Sequence, residues 1–273
     1  MAIITISRQV AALGDEVAAS AARKLNYKFV ARKELERRIV DLGFPENNLK
    51  KYDERKPGFF ASLVKERDEY LDYLQTAVLE AASEGNCILI GRGAFIILEQ
   101  LPNLVSFRFV ARDEVRIARL QKEFGWNEKQ AVQRITESDT NRLGFHKSFF
   151  NLANEDPLHF HMVINTGLLD VEAASSIITD FVHDYITVEK EDAGHKKIGQ
   201  LLVAQRLVNA LVFEHKISIN FLRAVIRDDT VVLQGVADSA ALVEKAVSLA
   251  SKILPDYKVE SGISIVQDFK SYP

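Results

Sequence analysis

The chain has 273 residues, enough for one large or two ordinary domains. Hydrophobic residues make up 47% of it and charged residues 27%, which is typical of a soluble globular protein. Its formal net charge of −3 gives no general attraction to nucleic acid or to an anionic membrane. The single cysteine, Cys87, excludes an internal disulfide, and no apolar run reaches the ~18 residues of a membrane span. We therefore expect a cytoplasmic protein with no nucleic-acid partner and no membrane span.

Strands and helices alternate over the first two thirds of the chain, which predicts a parallel sheet covered on both faces. Residues 3–7 form an apolar strand, and a helix over 14–25 with its apolar residues on one face follows at once. The further predicted strands are 27–30, 86–90, 105–110 and 163–165, and the further helices are 32–42, 62–84, 113–124, 127–137 and 171–186. The predicted fold class is α/β with a doubly wound parallel sheet.

The composition changes near residue 188, where a charged stretch over 188–194 is predicted to be a helix-breaking linker. The elements predicted beyond it are a helix at about 195–213, strands at 219–227 and 230–236, a helix at 238–254 and a strand at about 258–267. This αββαβ order predicts a small α+β domain over 195–273, separate from the α/β domain over 1–187.

The turn between the first strand and the first helix is a candidate phosphate-binding loop. A short strand followed by a tight turn and a helix directs backbone N–H groups and the positive end of the helix dipole toward a phosphate. A working loop reads G-x-x-x-x-G-K-[ST], and this chain keeps only Gly14 of that pattern. Asp15 stands where a cation is expected, and Glu16 where a magnesium-binding hydroxyl is expected. The candidate loop residues are Gln9, Ala11, Leu13, Gly14, Asp15 and Glu16.

Four stretches in the same order resemble the cytidylate kinase-like family of P-loop nucleoside monophosphate kinases. They are Ile4–Gln9 with Gly14 and Glu16, Ile88–Ala94, Asp139–Arg142, and Asp156–Pro157 before Val163–Thr166. The resemblance covers residues from about 2 to 186. It implies a doubly wound P-loop sheet with a mobile lid, and Mg-ATP as the cofactor of an active enzyme.

The loop departs from the pattern of that family, whose members usually carry a sequence like Y-G-S-G-G-R-E. Here Ala11 and Leu13 replace two glycines, so side chains project where the backbone would approach a phosphate and where a positive φ can be required. Asp15 replaces the arginine, which reverses a charge beside the phosphates. The sequence therefore predicts that a triphosphate binds this loop poorly.

Arginines elsewhere in the chain are candidates for contacts with an anionic ligand. Arg92 lies at the end of a strand between two glycines, and the resemblance makes it a monophosphate-binding residue; the alternative is an ordinary arginine paired to a carboxylate. The resemblance places Arg142 in the lid over the phosphates and Asp139 against the nucleoside. The alternative for these two is a local i,i+3 ion pair.

Further arginines lie near the inferred lid. They could form a basic wall over an anionic ligand, or simply be the charged face of an amphipathic helix. They are Arg116, Arg119 and Arg134, together with Arg112.

Two other features of the sequence do not predict a functional site. His159 and His161 stand two residues apart, as metal ligands can, but no third ligand has suitable spacing, so we predict no metal site. Cys87 heads an apolar strand and is predicted to be a core residue.

The second domain resembles a BON domain, a small module often linked to the binding of lipids or other ligands. The stretches that carry this resemblance are Val231–Ser239, the alanine-rich helix that follows, Tyr257–Val259 and Ile263–Ile265. Its ligand is not predicted.

The favoured hypothesis is a cytidylate kinase-like protein with impaired or absent kinase activity. It would retain a pocket for a nucleotide or another anionic small molecule and act as a binding or regulatory module. The alternatives are an active ATP-dependent kinase of a CMP-like nucleotide, and a scaffold with no small-molecule site. No catalytic residue is assigned, and self-association is left open.

Overall fold

The computed structural model describes residues 1–49, 52, 64–152 and 156–266. The chain forms two compact units, Met1–Lys197 and Ile198–Pro273. None of the helices in these described ranges is long and apolar enough to cross a membrane.

The first unit is an α/β domain. Its strands are β1 (Ile3–Arg8), β2 (Lys28–Val30), β3 (Cys87–Ile90), β4 (Leu104–Val110) and β5 (Met162–Asn165). Its helices are α1 (Gly14–Leu25), α2 (Arg32–Asp41), α3 (Glu46–Leu49), α4 (Val64–Ser83), α5 (Ala94–Ile97), α6 (Asp113–Phe124), α7 (Glu128–Phe150) and α8 (Val171–Tyr185). A further helix, α9 (Val188–Asn209), begins in this unit and ends in the second.

All five strands are parallel, in the order β2-β3-β1-β4-β5. β1 is central: Ile4 pairs with Ile88 of β3 on one side and with Val105 of β4 on the other. Its isoleucines are buried, and Ile4 and Ile6 join α1 and α8 in one apolar core. The chain moves from β1 toward one edge of the sheet and later returns to the other, so the carboxyl end of β1 is the switch point where such sheets bind ligands.

The predicted α/β fold is confirmed, and the largest difference in element length is in α7. The sequence predicts a helix over 127–137, whereas the helix runs from Glu128 to Phe150. Asn127 and Gln130 form a capping box at its start, and near its end the buried ring of Phe149 packs against Tyr52 and Tyr70. Of the predicted helix over 62–84, residues 62 and 63 lie outside the described residues.

The predicted helix-breaking linker over 188–194 is wrong, because these residues form the first turns of α9. Acidic residues in the first turn favour a helix start, and Glu189 and Glu191 stand there. Gly194 does not break the helix; it makes room, since a Cβ at this position would overlap the side chain of Asn103. The two units divide within α9, between Lys197 and Ile198.

The second unit has the predicted αββαβ order. After α9 and a π-helical turn come β6 (Asn220–Arg227), β7 (Thr230–Ala237), α10 (Ala240–Ile253) and β8 (Lys258–Ile265). β7 is central, antiparallel to β6 and parallel to β8. The sheet buries Val231 and Leu233 against Ala246 and Ala250 of α10. Residue 267, the last of the predicted final strand, lies outside the described residues.

Candidate functional site

The candidate site lies at the carboxyl ends of β1 and β3, which are neighbours in the sheet. The segment between β1 and α1, which we call loop 9–13, follows the first strand, and Gly91–Gly93 follows the second. Gly91 donates its backbone N–H to the carbonyl of Ile6 at 3.0 Å, which ties the second turn to the end of β1. Both turns therefore lie at the switch point of the sheet.

Loop 9–13 has the backbone conformation that glycine usually provides, although it contains no glycine. Ala11 has φ of 60° and Leu13 has φ of 55°, both in the left-handed region. The sequence marked these two positions as substitutions of glycines that can need a positive φ, and the loop has kept that conformation. For an L-residue the left-handed region costs roughly 1–2 kcal/mol, so the loop is strained at two places.

Side chains from outside the loop hold its carbonyl groups. Arg116 on α6 donates from Nε to the carbonyl of Val10 at 3.0 Å, and Arg119 donates from Nη1 to the carbonyl of Ala11 at 3.0 Å. The hydroxyl of Thr166, just after β5, donates to the carbonyl of Ala12 at 2.9 Å. These two arginines thus face backbone carbonyls, and the basic wall predicted for them is engaged with the protein itself.

The start of α1 has open donors. Within the described part of the chain, the backbone N–H groups of Leu13, Gly14, Asp15 and Glu16 donate to no acceptor, and no side chain caps the helix. Such donors at a helix N-terminus favour an anion. Asp15 opposes one, since its exposed carboxylate occupies the first turn, although Arg8 pairs with it at 3.3 Å.

Gly14 is required by this arrangement. A Cβ at residue 14 would lie 2.6 Å from Cγ and 2.7 Å from Cβ of Arg8. The one glycine kept from the phosphate-loop pattern therefore lets the Arg8 side chain cross the start of α1.

A small cavity, which we call the arginine cleft, opens beside loop 9–13. It is lined by Ser7, Arg8, Gly91, Arg92, Gly93, Phe95, Arg142, Phe145 and His146. Three cationic side chains converge here, which favours an anionic ligand.

Arg92 is the most deeply buried cation of the cleft, with no exposed side-chain area. Its guanidinium donates to the carbonyl of Tyr52 at 2.6 Å and to the carboxylate of Glu36, and it lies 5.7 Å from the centre of the Phe145 ring. This pairing with a carboxylate agrees with the second of the two roles that the sequence leaves open for Arg92. Its place on the cleft wall is equally compatible with a phosphate contact, so that role stays a prediction.

The backbone at Arg92 is also strained, because φ is 54° between two glycines that are left-handed as well. A Cβ at Gly93 would overlap the ring of Phe150, so this turn is fixed by close packing. Strain at a non-glycine residue persists where the surroundings over-determine it, and it concentrates at functional sites.

Glu36 on α2 holds the Arg92 guanidinium and a second arginine, Arg32, whose Nε lies 2.7 Å from the carboxylate. Partial burial works to raise the pKa of Glu36, but the hydrogen bonds from Arg32 and Arg92 outweigh it and hold the pKa below its ordinary value. Glu36 therefore stays ionised and fixes the orientation of Arg92.

Asp139 and Arg142, the predicted i,i+3 pair on α7, do lie together, with Arg142 Nη1 3.5 Å from the carboxylate. The stronger partner of Asp139 is Arg116, whose Nη2 lies 3.0 and 2.9 Å from the two carboxylate oxygens. Asp139 thus joins the arginine that lines the cleft to the arginine that holds loop 9–13. These hydrogen bonds join Asp139 to other side chains of the protein, so its contact with a nucleoside stays a prediction.

Arg134 is not brought to the site with the other candidates. Its side chain is 48% exposed and lies 4.0 Å from Glu137 on the same helix, which matches the alternative of a solvated charged face.

Of the histidine pair, His161 holds neighbouring elements of the fold together. Nδ1 of His161 accepts the backbone N–H of Ser106 at 3.0 Å, and Nε2 lies 3.3 Å from the hydroxyl of Tyr185. Burial, assisted by the charge of Lys190, lowers the pKa of His161. Over the described ranges, no three acidic, histidine or cysteine side chains are grouped to hold a metal ion. Cys87 is buried as predicted.

Several residues that shape the site have no distinctive signal in the sequence. Thr166 lies in one of the stretches that resemble the family, but no pattern around it indicates a role. Glu36 reads as one of many charges on an amphipathic helix, and Phe145 and His146 fell beyond the predicted end of α7. Only the path of the chain brings Phe145 and His146 to the cleft, Thr166 to loop 9–13 and Glu36 to Arg92.

The chain is similar to a family model and to a named relative. The model of the family described as "Cytidylate kinase-like family" matches residues 3–168. The chain is 27% identical over 184 residues to a protein of Methanocaldococcus jannaschii named cytidylate kinase, covering 66% of this chain and 97% of that protein.

Two solved structures are similar to part of the chain, and the first of them shares its fold. An uncharacterized protein from Eubacterium ventriosum has a TM-score of 0.55 at 22% identity, over 67% of this chain and 98% of its own. Shikimate kinase from Bacteroides thetaiotaomicron has a TM-score of 0.42 at 14% identity, over 67% of this chain and 98% of its own.

Proposed function

Since the chain belongs to the cytidylate kinase-like family, we propose that it binds a nucleotide in the arginine cleft while its loop supports little or no phosphoryl transfer. The observation that carries the binding part is the convergence of Arg8, Arg92 and Arg142 on one small cavity at the switch point of the sheet. Arginine binds phosphate with a bidentate fork, and the Glu36 carboxylate holds that of Arg92 in place. The expected ligand is a nucleoside monophosphate of CMP type.

The residues of loop 9–13 and the first turn of α1 do not fit Mg-ATP well. Asp15 and Glu16 are exposed acidic residues at the helix start, where a cation and a magnesium-binding hydroxyl would serve a triphosphate. Arg8 is paired to Asp15, which leaves less of its charge for a ligand. Phosphoryl transfer depends almost entirely on positioning and charge neutralisation, so the substitutions remove the main contributions of this loop.

Calorimetric titration tests the proposal with CMP, ADP and ATP, each with and without Mg²⁺, beside a phosphotransfer assay. We expect CMP to bind and ATP to bind weakly or not at all. Arg92→Gln should weaken CMP binding at least tenfold, on the order of the loss of one charged hydrogen bond. Arg227→Gln, an exposed arginine of the second unit, is the matched control and should leave the affinity unchanged.

Three results would contradict parts of the proposal. Turnover at ordinary kinase rates of ~1–100 s⁻¹ would favour the alternative of an active CMP-like kinase, which the similarity to the protein named cytidylate kinase supports. Absence of binding by any nucleotide would favour the scaffold. The triple variant Ala11→Gly, Leu13→Gly, Asp15→Arg should strengthen ATP binding, and no change would mean that loop 9–13 is not a phosphate site.

We also propose that the second unit is a BON-like ligand-binding module, a proposal that its αββαβ order and mixed three-stranded sheet support. Phe221 is 69% exposed at a bulge of β6, where an apolar ligand could contact it. Co-sedimentation of the full chain with phospholipid vesicles, compared with Phe221→Ser, tests this. Equal sedimentation of both chains would exclude this residue from lipid contact.

A further inference from the structure

The two left-handed residues of loop 9–13 each lie between two peptide groups that are held in place. The peptide groups on either side of Ala11 contain the carbonyls of Val10 and Ala11, which accept from Arg116 and Arg119 at 3.0 Å each. Because both neighbouring peptide planes are held, the backbone angles of Ala11 are fixed between them.

The same holds for Leu13. The carbonyl of Ala12 accepts from the hydroxyl of Thr166 at 2.9 Å, and the carbonyl of Leu13 accepts the backbone N–H of Val17 in α1 at 3.0 Å. Three of the four hydrogen bonds that these carbonyls accept thus come from side chains outside the loop, and two of those side chains are one turn apart on α6.

A further contact supports each arginine. Arg116 is 1% exposed and donates from Nη1 to Asp113 at 3.0 Å, while Asp139 binds its Nη2 through both carboxylate oxygens. Arg119 also donates to the carbonyl of Thr166 at 2.5 Å, so two of the donors to the loop hold each other. The small apolar cluster of α6 and α7 packs against Val10 and Ala11 on the same side.

We propose that Arg116, Arg119 and Thr166 are positioning residues that replace glycine in this loop. Glycine takes a left-handed conformation without steric cost, whereas Ala11 and Leu13 hold it only because the carbonyls around them are bound from outside. The arginines of α6 therefore act on the loop backbone, and through it they set where the open N–H groups at the start of α1 point. This role of the three side chains concerns the backbone of the loop alone and does not require that a nucleotide binds.

Nuclear magnetic resonance on the full chain tests the proposal, because a left-handed residue has a short intraresidue distance between its amide and Hα protons. The wild-type chain should show a strong cross-peak of this kind at Ala11 and at Leu13. Arg119→Met should weaken it at both positions, since the loop then relaxes to an unstrained conformation. Lys122→Met removes the same charge from an exposed position of the same helix, and should change neither cross-peak.

A glycine rescue separates this role from general support of the fold. Ala11→Gly in the Arg119→Met background should restore the cross-peak of Leu13, because glycine takes the left-handed conformation without the lost hydrogen bond. A contact that only stabilised the fold would not be rescued at Leu13 by a change at residue 11.

Thr166→Val removes a second donor without a change of charge, and should weaken the Leu13 cross-peak even if Arg119→Met does not fold. Left-handed Ala11 and Leu13 in both Arg119→Met and Thr166→Val would overturn the proposal.

Discussion

At residue 11 a methyl group stands on a left-handed backbone, and the cost of that conformation is measurable. Ala11→Gly should raise the free energy of unfolding by about 1 kcal/mol, since the steric cost of ~1–2 kcal/mol is removed and only a small apolar contact is lost. Urea denaturation of both chains measures the change.

Ala12→Gly provides the control one residue away. Ala12 is fully buried and is not among the positive-φ residues, so glycine there should lower the free energy of unfolding by about 1 kcal/mol. Equal changes of the same sign at the two positions would show that the left-handed conformation of Ala11 carries no strain.

Glu36 gives a prediction for acid stability. Its pKa is depressed in the folded chain, because the hydrogen bonds from Arg32 and Arg92 outweigh burial. The ionised side chain therefore stabilises the fold above the pKa that Glu36 has in the unfolded chain. This stabilisation is lost as the pH falls through the pKa of the folded chain. Glu36→Gln leaves a buried Arg92 without its carboxylate, and should cost about 3 kcal/mol at neutral pH. Unfolding measured across the acid range should show this cost shrinking below about pH 4, under the ordinary glutamate pKa.

Glu99→Gln, at an exposed glutamate of the same unit, should unfold like the wild type at every pH. A cost of Glu36→Gln that stayed constant down to the lowest pH would mean that the charge of Glu36 contributes nothing.

At the scale of elements, α7 depends on its first turn. Asn127 accepts the backbone N–H of Gln130 at 2.9 Å, and the Gln130 side chain accepts the backbone N–H of Asn127 at 3.0 Å. Asn127→Ala should lower the free energy of unfolding by about 1 kcal/mol, while Asn127→Asp keeps the acceptor and should cost little. Thermal unfolding by circular dichroism compares the two, and an equal loss in both would mean that the cap is not the cause.

Element bounds followed the sequence closely where a local signal marks each end. The predicted helix over 113–124 coincides with α6, which begins with two acidic residues and ends at Gly125 in a left-handed conformation. α7 extends well past its predicted end because its last turns lie against other aromatic rings, among them Tyr52 and Tyr70. Those rings come from distant parts of the chain, so no pattern within the helix could show how far it continues.

At the scale of the whole molecule, the two units have separate cores, and this predicts separate sensitivity to core substitutions. Leu233→Ala removes a fully buried side chain from the core of the second unit, and should destabilise that unit by about 3 kcal/mol. Cys87 reports on the first unit, because it is buried in β3 and burial raises the pKa of its thiol to about 12.

Thiol labelling under native conditions should therefore be slow, and it should be no faster in Leu233→Ala than in the wild type. Leu89→Ala, at a buried leucine of the same strand as Cys87, is the positive control and should accelerate labelling. Faster labelling in Leu233→Ala would show that the two cores unfold as one.

The sequence by itself determined the α/β fold, the order of the second unit and the family of the first, because these depend on local periodicity and on short motifs such as the one around Arg92. It also located the altered loop and named Ala11, Leu13 and Asp15 as its unusual positions. Only the tertiary structure decided that Arg116 and Arg119 bind carbonyl groups of that loop, that Arg134 stays on the surface, and that Glu36 reaches Arg92. The physical reason is that a charged side chain pairs with whichever group the packing of distant elements brings within hydrogen-bonding distance. Spacing along the chain does not determine that distance.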